Sequence, residues 1–242
     1  VREEVYHKIN KRRLEDKEAL NKLFTTLLQK RHQVAVNTDF ENYRDFRFKE
    51  LGRFDYSKED CFQFHEAVKL HVMPLVNQIY EAKKKKLGLD TLRPWDVEAE
   101  PAGIQPLRPF KTGEELTEKT IACFDELSTG PDGKSFFGDC LRKMKELGHL
   151  DLESRKGKAP GGYNCPLAES GAPFIFMNAA GQLDDVTTMV HEGGHAIHSF
   201  LAHELELTGF KEYPTEIAEV ASMAMELFSM DKWNVFFDSP EE

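Results

Sequence analysis

Residues 184–201, DDVTTMVHEGGHAIHSFL, decide how this chain is read. Val186, Val190, Ile197, Phe200 and Leu201 recur at the three- and four-residue spacing of one helix face, and Asp184 or Asp185 offers an acceptor to the orphan N–H groups of the first turn. Residues four apart on a helix are neighbours. His191 and His195 therefore point to one side and can hold a single ion about 2.0 to 2.1 Å from a nitrogen of each ring. Glu192 sits beside the pair but out of line with it, which suits a base that takes a proton from a water activated by the metal. Neutral imidazoles with a carboxylate favour zinc, one ion per chain. Gly193 and Gly194 each cost about 1 kcal/mol relative to alanine in mid-helix. Either a packing contact with no room for a side chain, or the close approach of a substrate or strand, must require them.

A catalytic zinc takes three protein ligands and keeps one position open, so a third ligand has to come from elsewhere. A histidine six residues after His195 would supply it in one class of zinc helix, but that position is Leu201. Glu212, Glu216, Glu219 and Glu226 remain as candidates. Glu219 and Glu226 are seven apart and share a face with Ser222, whereas Glu212 precedes Pro214 and falls outside the expected helix. Spacing ranks Glu219 only narrowly over Glu216. His198, seven residues after His191, lies on the same face and is expected to support the ligands from behind. Glu192 and His195 also spell the ExxH of di-iron carboxylate sites. Glu4 with His7 and Glu146 with His149 repeat those letters, but Gly148 interrupts the second pair and neither lies on a comparable apolar helix.

Working outward, a short apolar strand, PFIFMN at 173–178, precedes the zinc-motif helix and follows a glycine-rich loop, residues 156–162, that leads into Tyr163. Helical patterns cover Thr117 to Leu127 and Phe136 to Leu147, where Gly148 can end the helix. Pro94, Pro101, Pro106 and Pro109 exclude regular helix between Asp90 and Gly113. Before that, Leu20, Leu23, Phe24, Leu27 and Leu28 form one helical stripe, and Phe62, Val68, Val72, Leu75, Val76 and Ile79 form another; both read as core. Asn37 to Tyr56 reads as a turn-containing connection, Lys83 to Lys86 as a solvated helix end, and residues 238–242 as a polar close. The domain reading is one catalytic domain in part, with a helical region at 1–113 that includes the proline-rich crossing and a zinc-site core at 114–242.

With 242 residues and 40% hydrophobic content, the chain has ample material for a core. Its 32 Lys and Arg against 42 Asp and Glu lack the basic footprint of a nucleic-acid binder, so peptides or small molecules are the expected partners. No apolar run approaches a membrane span. Cys61, Cys123, Cys140 and Cys165 form no CxxC pair, which points to a reduced, cytoplasmic protein.

The run PFIFMNAAGQLDDVTTMVHEGGHAIHS (173–199) followed by EIAEVASMAMELF (216–228) resembles the oligoendopeptidase F branch of the thimet-oligopeptidase-like zinc peptidases. NYRDFRFKELGRFDYS (42–57) and LGLDTLRPWD (87–96) are similar to the same branch. The resemblance implies a mainly α fold, a helical zinc-peptidase domain with a small β element beside the active-site helix. It implies an enzyme that encloses its site in a channel and cleaves short peptides internally. It matches His191 and His195 to the histidine ligands, Glu192 to the general base and Glu219 to the third ligand. Glu226 matches a supporting glutamate. Phe174, Ile175, Phe176, Met177 and Asn178 match an edge strand that pairs with extended peptide. Family members are much longer and supply tyrosine and histidine groups from beyond the third ligand. An incomplete domain is therefore expected, and the alternative to a zinc endopeptidase is a catalytically weak or inactive metal-binding helical fragment that binds peptides.

Overall fold

The computed structural model describes residues 1–237, so the polar close at 238–242 lies outside the described residues. The fold is mainly helical, and the chain divides into two compact units between residues 104 and 105.

The first unit holds α1 (Arg2–Leu14), α2 (Lys17–Asn37), α3 (Tyr43–Glu50), α4 (Lys58–Ala67) and α5 (Met73–Lys86). α1 is tied to the turn at Pro94–Asp96: the Tyr6 and His7 rings each lie 5.2 Å from the Trp95 ring in tilted contacts, and Arg2 donates to buried Asp96 at 2.9 Å. A wide π-turn, Val68–Val72, joins α4 to α5. Pro74 follows it. A proline has no N–H to return to the Leu70 carbonyl, and the wider turn accommodates its ring. α5 ends on the lysine run, with Lys83 and Lys86 paired to Glu100.

Two expectations fail in this unit. The stretch 37–56 is not merely a turning connection, because α3 forms within it, capped by the Asn42 side chain, which accepts the Asp45 N–H. Alternating aromatic and charged residues hid an eight-residue helix whose start is set by its cap. The two apolar stripes are not core. Leu20, Leu23 and Phe24 are more than half exposed, and so are Leu75 and Ile79. Periodicity identifies an apolar face, and nothing among the described residues covers these two.

The second unit holds α6 (Gly113–Ser128), α7 (Phe136–Glu146), β1 (Leu150–Glu153), β2 (Tyr163–Cys165), β3 (Phe174–Ala179), α8 (Leu183–His203) and α9 (Thr215–Ser229). Thr112 and Ser135 cap α6 and α7 by accepting N–H groups from their first turns. The core lies here: Leu116, Phe124, Leu141, Met144, Ile175, Met177, Met189 and Val190 are all inaccessible. β3 alternates as a half-buried strand should, with Ile175, Met177 and Ala179 on the core side and Phe174, Phe176 and Asn178 on the other.

β3 is the middle strand, paired in parallel with β1 and antiparallel with β2. The expectation that residues 174–178 form an edge strand is therefore corrected, since both of its ladders are taken within the chain. β1 and β2 went unseen because four- and three-residue strands are too short for an alternating pattern. Tyr163, expected in a loop, sits on β2. Among the described residues no helix is long and apolar enough to cross a membrane.

Candidate metal centre

α8 begins where Asp185, in its first turn, accepts N–H groups from Ala180 and Gln182, both at 2.8 Å. Capping thus comes from the third helical position, reaching back over the start. Val186, Val190 and Ile197 face the core as expected; Leu201 does not, and is about half exposed.

The two mid-helix glycines are explained by packing. A methyl on Gly193 would stand 2.7 Å from the Phe124 ring of α6, and one on Gly194 would stand 2.8 Å from the Ser222 backbone of α9. Helices normally pack with axes about 8 to 10 Å apart, and only a residue without a side chain lets two backbones approach this closely. Gly194 therefore sets the spacing between α8 and α9, and that spacing brings a carboxylate from α9 to the histidines of α8.

Glu219 is that carboxylate. Its Oε2 lies 3.4 Å from His191 Nε2 and 3.8 Å from His195 Nε2. Among the described residues, His191, His195 and Glu219 form the one group of three able to hold a metal ion. Zinc bonds of about 2.0 to 2.2 Å in tetrahedral geometry place neighbouring donors roughly 3.4 Å apart, and the two distances from Glu219 Oε2 to the histidine nitrogens are close to that value. Glu4, His7, Glu146 and His149 join no such group, which removes the basis for a di-iron reading within the described residues. Glu212 precedes α9, as its position before Pro214 indicated, and Glu216 lies a turn from the convergence point.

The surrounding contacts orient these donors. Glu226 Oε1 lies 2.6 Å from His191 Nδ1, leaving Nε2 directed at Glu219. Ser222 donates to the Glu219 carbonyl and lies 3.1 Å from its Oε2. The Ala218 backbone is a hydrogen-bond partner of the His195 ring, whose pKa is lowered chiefly by burial. Glu192 is nearly inaccessible, and its Oε2 has no hydrogen-bond partner. Burial raises its pKa, and the negative charge of Glu219 adds to the rise while His191 opposes it. The His198 ring stacks on Tyr213 at 3.9 Å, its Nδ1 is buried without a partner, and burial lowers its pKa.

His191, Glu192, His195 and Glu219 open onto a cavity of about 870 Å³. One wall is Gly162, Tyr163 and Asn164 at β2; another is Ser199, Tyr213 and Thr215 from the end of α8 and the start of α9. Residues 174–178 are not among its lining. Reading the sequence missed Tyr213 and Asn164, whose side chain donates to the Glu192 carbonyl at 3.4 Å; no motif spacing marks either.

The profile of peptidase family M3 matches residues 1–242. The oligoendopeptidase F homolog of Lactococcus lactis subsp. lactis (strain IL1403) is 30% identical over 161 residues, covering 66% of this chain and 25% of that protein. The group B oligopeptidase PepB of Streptococcus agalactiae serotype III (strain NEM316) is 24% identical over 221 residues, covering 87% and 35%. Among solved structures, that of PZ peptidase A with an inhibitor superposes with a TM-score of 0.83 at 28% identity, covering 93% of this chain and 38% of the other. The chain thus spans roughly a quarter to two fifths of the length of the relatives it matches. With a matching profile along its whole length and helices that superpose on a solved peptidase, the chain belongs to peptidase family M3.

Proposed function

We propose that this chain carries the catalytic centre of a zinc-dependent endopeptidase acting on short peptides. The observation that carries the proposal is the convergence of His191, His195 and Glu219 within one cavity, beside a buried carboxylate that ligates nothing. His191, His195 and Glu219 would hold the ion, and Glu226 would fix the His191 ring through its other nitrogen. Zinc held there supplies Lewis acidity toward a peptide carbonyl and a water molecule.

Glu192 takes a proton from the attacking water and delivers it to the departing amine, so that water adds across the peptide bond with no proton gained or lost. Its raised pKa suits that role, because a group that accepts a proton and returns it works best with a pKa nearer the working pH. An extended peptide would lie along β2, the edge strand on the cavity, where main-chain hydrogen bonds hold many sequences alike. The reading takes both units as parts of one catalytic domain, with the family match over residues 1–242 in support. It also takes the protein as cytoplasmic, supported by four cysteines that stand unpaired.

Glu192→Gln separates the base from the ligands. It is expected to keep zinc and peptide binding while losing about 10²-fold or more in kcat, measured with a short internally quenched peptide and by metal analysis. Loss of zinc from the variant would make Glu192 a ligand and overturn its assignment as base. A parent chain that binds zinc and peptide without cleaving would overturn the peptidase reading.

A further inference from the structure

The loop between β1 and β2 hides a lysine. The Lys158 side chain is only 1% exposed, and its ammonium meets the Asp151 carbonyl at 2.9 Å, Asp151 Oδ1 at 3.0 Å and the Glu153 carbonyl at 2.9 Å. All three of its N–H donors are thereby satisfied. It also stands 4.5 Å from the centre of the Phe176 ring on β3. Phe176 pairs across the ladder with Tyr163 of β2, and their rings stack at 5.0 Å within 8° of parallel. One buried cation thus joins β1, the ring at the middle of β3 and, through that ring, the cavity-lining side chain of β2.

The rest of the loop is held from the same side. Asn178 spends both amide hydrogens on the carbonyls of Ala159 and Gly161, at 2.8 and 2.9 Å. Gly162 then comes so near Glu192 that a methyl placed on it would stand 3.6 Å from Oε1. A segment rich in glycine has little stiffness of its own. Its conformation, and with it the gap between the β2 edge and Glu192, depends on these two anchors nearest β2, while at the start of the loop Arg155 pairs with Asp151 and the Ser154 N–H donates to the Ala179 carbonyl.

We propose that Lys158 is a positioning residue for peptide binding: it clamps residues 154–162 onto β1 and so holds β2 and Tyr163 at the cavity wall where the substrate lies. Substrate never touches it. A clamp of this kind acts on the binding of extended peptide rather than on proton transfer, so its loss raises KM and spares the chemical step. The inference rests on the peptidase reading for its substrate, but the clamp is measurable without turnover.

The experiment compares Lys158→Met and Lys158→Arg with the parent, as the full chain loaded with zinc. Amide hydrogen exchange across residues 154–165, metal content, and KM and kcat for a short internally quenched peptide are followed. In Lys158→Met, exchange in this segment should quicken about tenfold or more with zinc retained. KM should rise about tenfold, with kcat within about threefold of the parent. Lys158→Arg, which keeps the charge and donors, should recover much of both effects. Unchanged exchange, or a fall in kcat at constant KM, would overturn the proposal, since a plain loss of folded protein lowers only the active fraction. If Lys158→Met does not fold, Asn178→Ala tests the other anchor, and an unchanged KM there also overturns it. A parent that cleaves nothing refutes the peptidase reading alone, because the exchange comparison still decides whether Lys158 is the clamp.

Discussion

Leu23 in α2 and Phe124 in α6 both belong to helices that carry an apolar stripe, yet Leu23 is 55% exposed and Phe124 is inaccessible. The first unit buries little more than Ala35, Asp96 and Ala99, whereas the second surrounds Phe124 with three other helices and a sheet. The difference teaches that an amphipathic pattern states a requirement for a partner surface without naming one. α9 makes the same point within a single helix. Ser222, Met225 and Ser229 face inward while Val220, Leu227 and Phe228 are exposed, so hydropathy alone would have turned this helix the wrong way. The inward side is narrow because Gly194 brings the two backbones together, and small or flexible residues suit that gap.

The largest effect that would test this contrast is in the core. Phe124→Ala should destabilise the chain by about 3 to 5 kcal/mol in urea unfolding, whereas Leu23→Ala should stay within about 0.5 kcal/mol. A comparable cost at Leu23 would show its stripe to be covered and would break the comparison. Next comes the contact between α8 and α9. Gly194→Ala pushes a methyl into backbone and should cost about 1 to 3 kcal/mol while weakening zinc binding, as both follow from the same separation. Gly193→Ala should cost less, because a ring can shift where a backbone cannot.

Within the metal centre, Glu219→Ala should reduce zinc affinity more than any other carboxylate change, and Glu226→Ala about 10- to 100-fold, in chelator competition. Glu216→Ala should leave affinity near the parent value; a larger effect there than at Glu219 would shift the third ligand by a helical turn. The smallest expected effect concerns acid. Asp45 in the first unit is lowered to about 2, chiefly by Arg44, and Asp151 in the second to about 2, chiefly by Arg155. A folded-state pKa below the ordinary carboxylate value contributes stability that is fully present above about pH 4 and is lost as pH falls through about 2. Asp151→Asn should therefore flatten the acid limb of the stability profile between those values, and an unchanged limb would show that this ion pair is not linked to folding.

The sequence by itself determined the helix that carries residues 191–195 and the placing of His191 and His195 on one side with Glu192 beside them, because those relations are local and follow from one helical turn. It also placed α6, α7 and β3 within a few residues. Spacing could not choose between Glu216 and Glu219, since that choice depends on the rotation of α9 against α8, and the rotation is set by contacts of Gly194 with a backbone distant in sequence. Nor could it show that residues 174–178 occupy the middle of the sheet: β1 and β2 are short strands that exist only because β3 pairs with them. The exposure of the α2 and α5 stripes, the stacking of His198 on Tyr213 and the burial of Lys158 were likewise decided by tertiary structure alone. Each depends on which surfaces meet, and periodicity along a chain carries no information about what lies across from it.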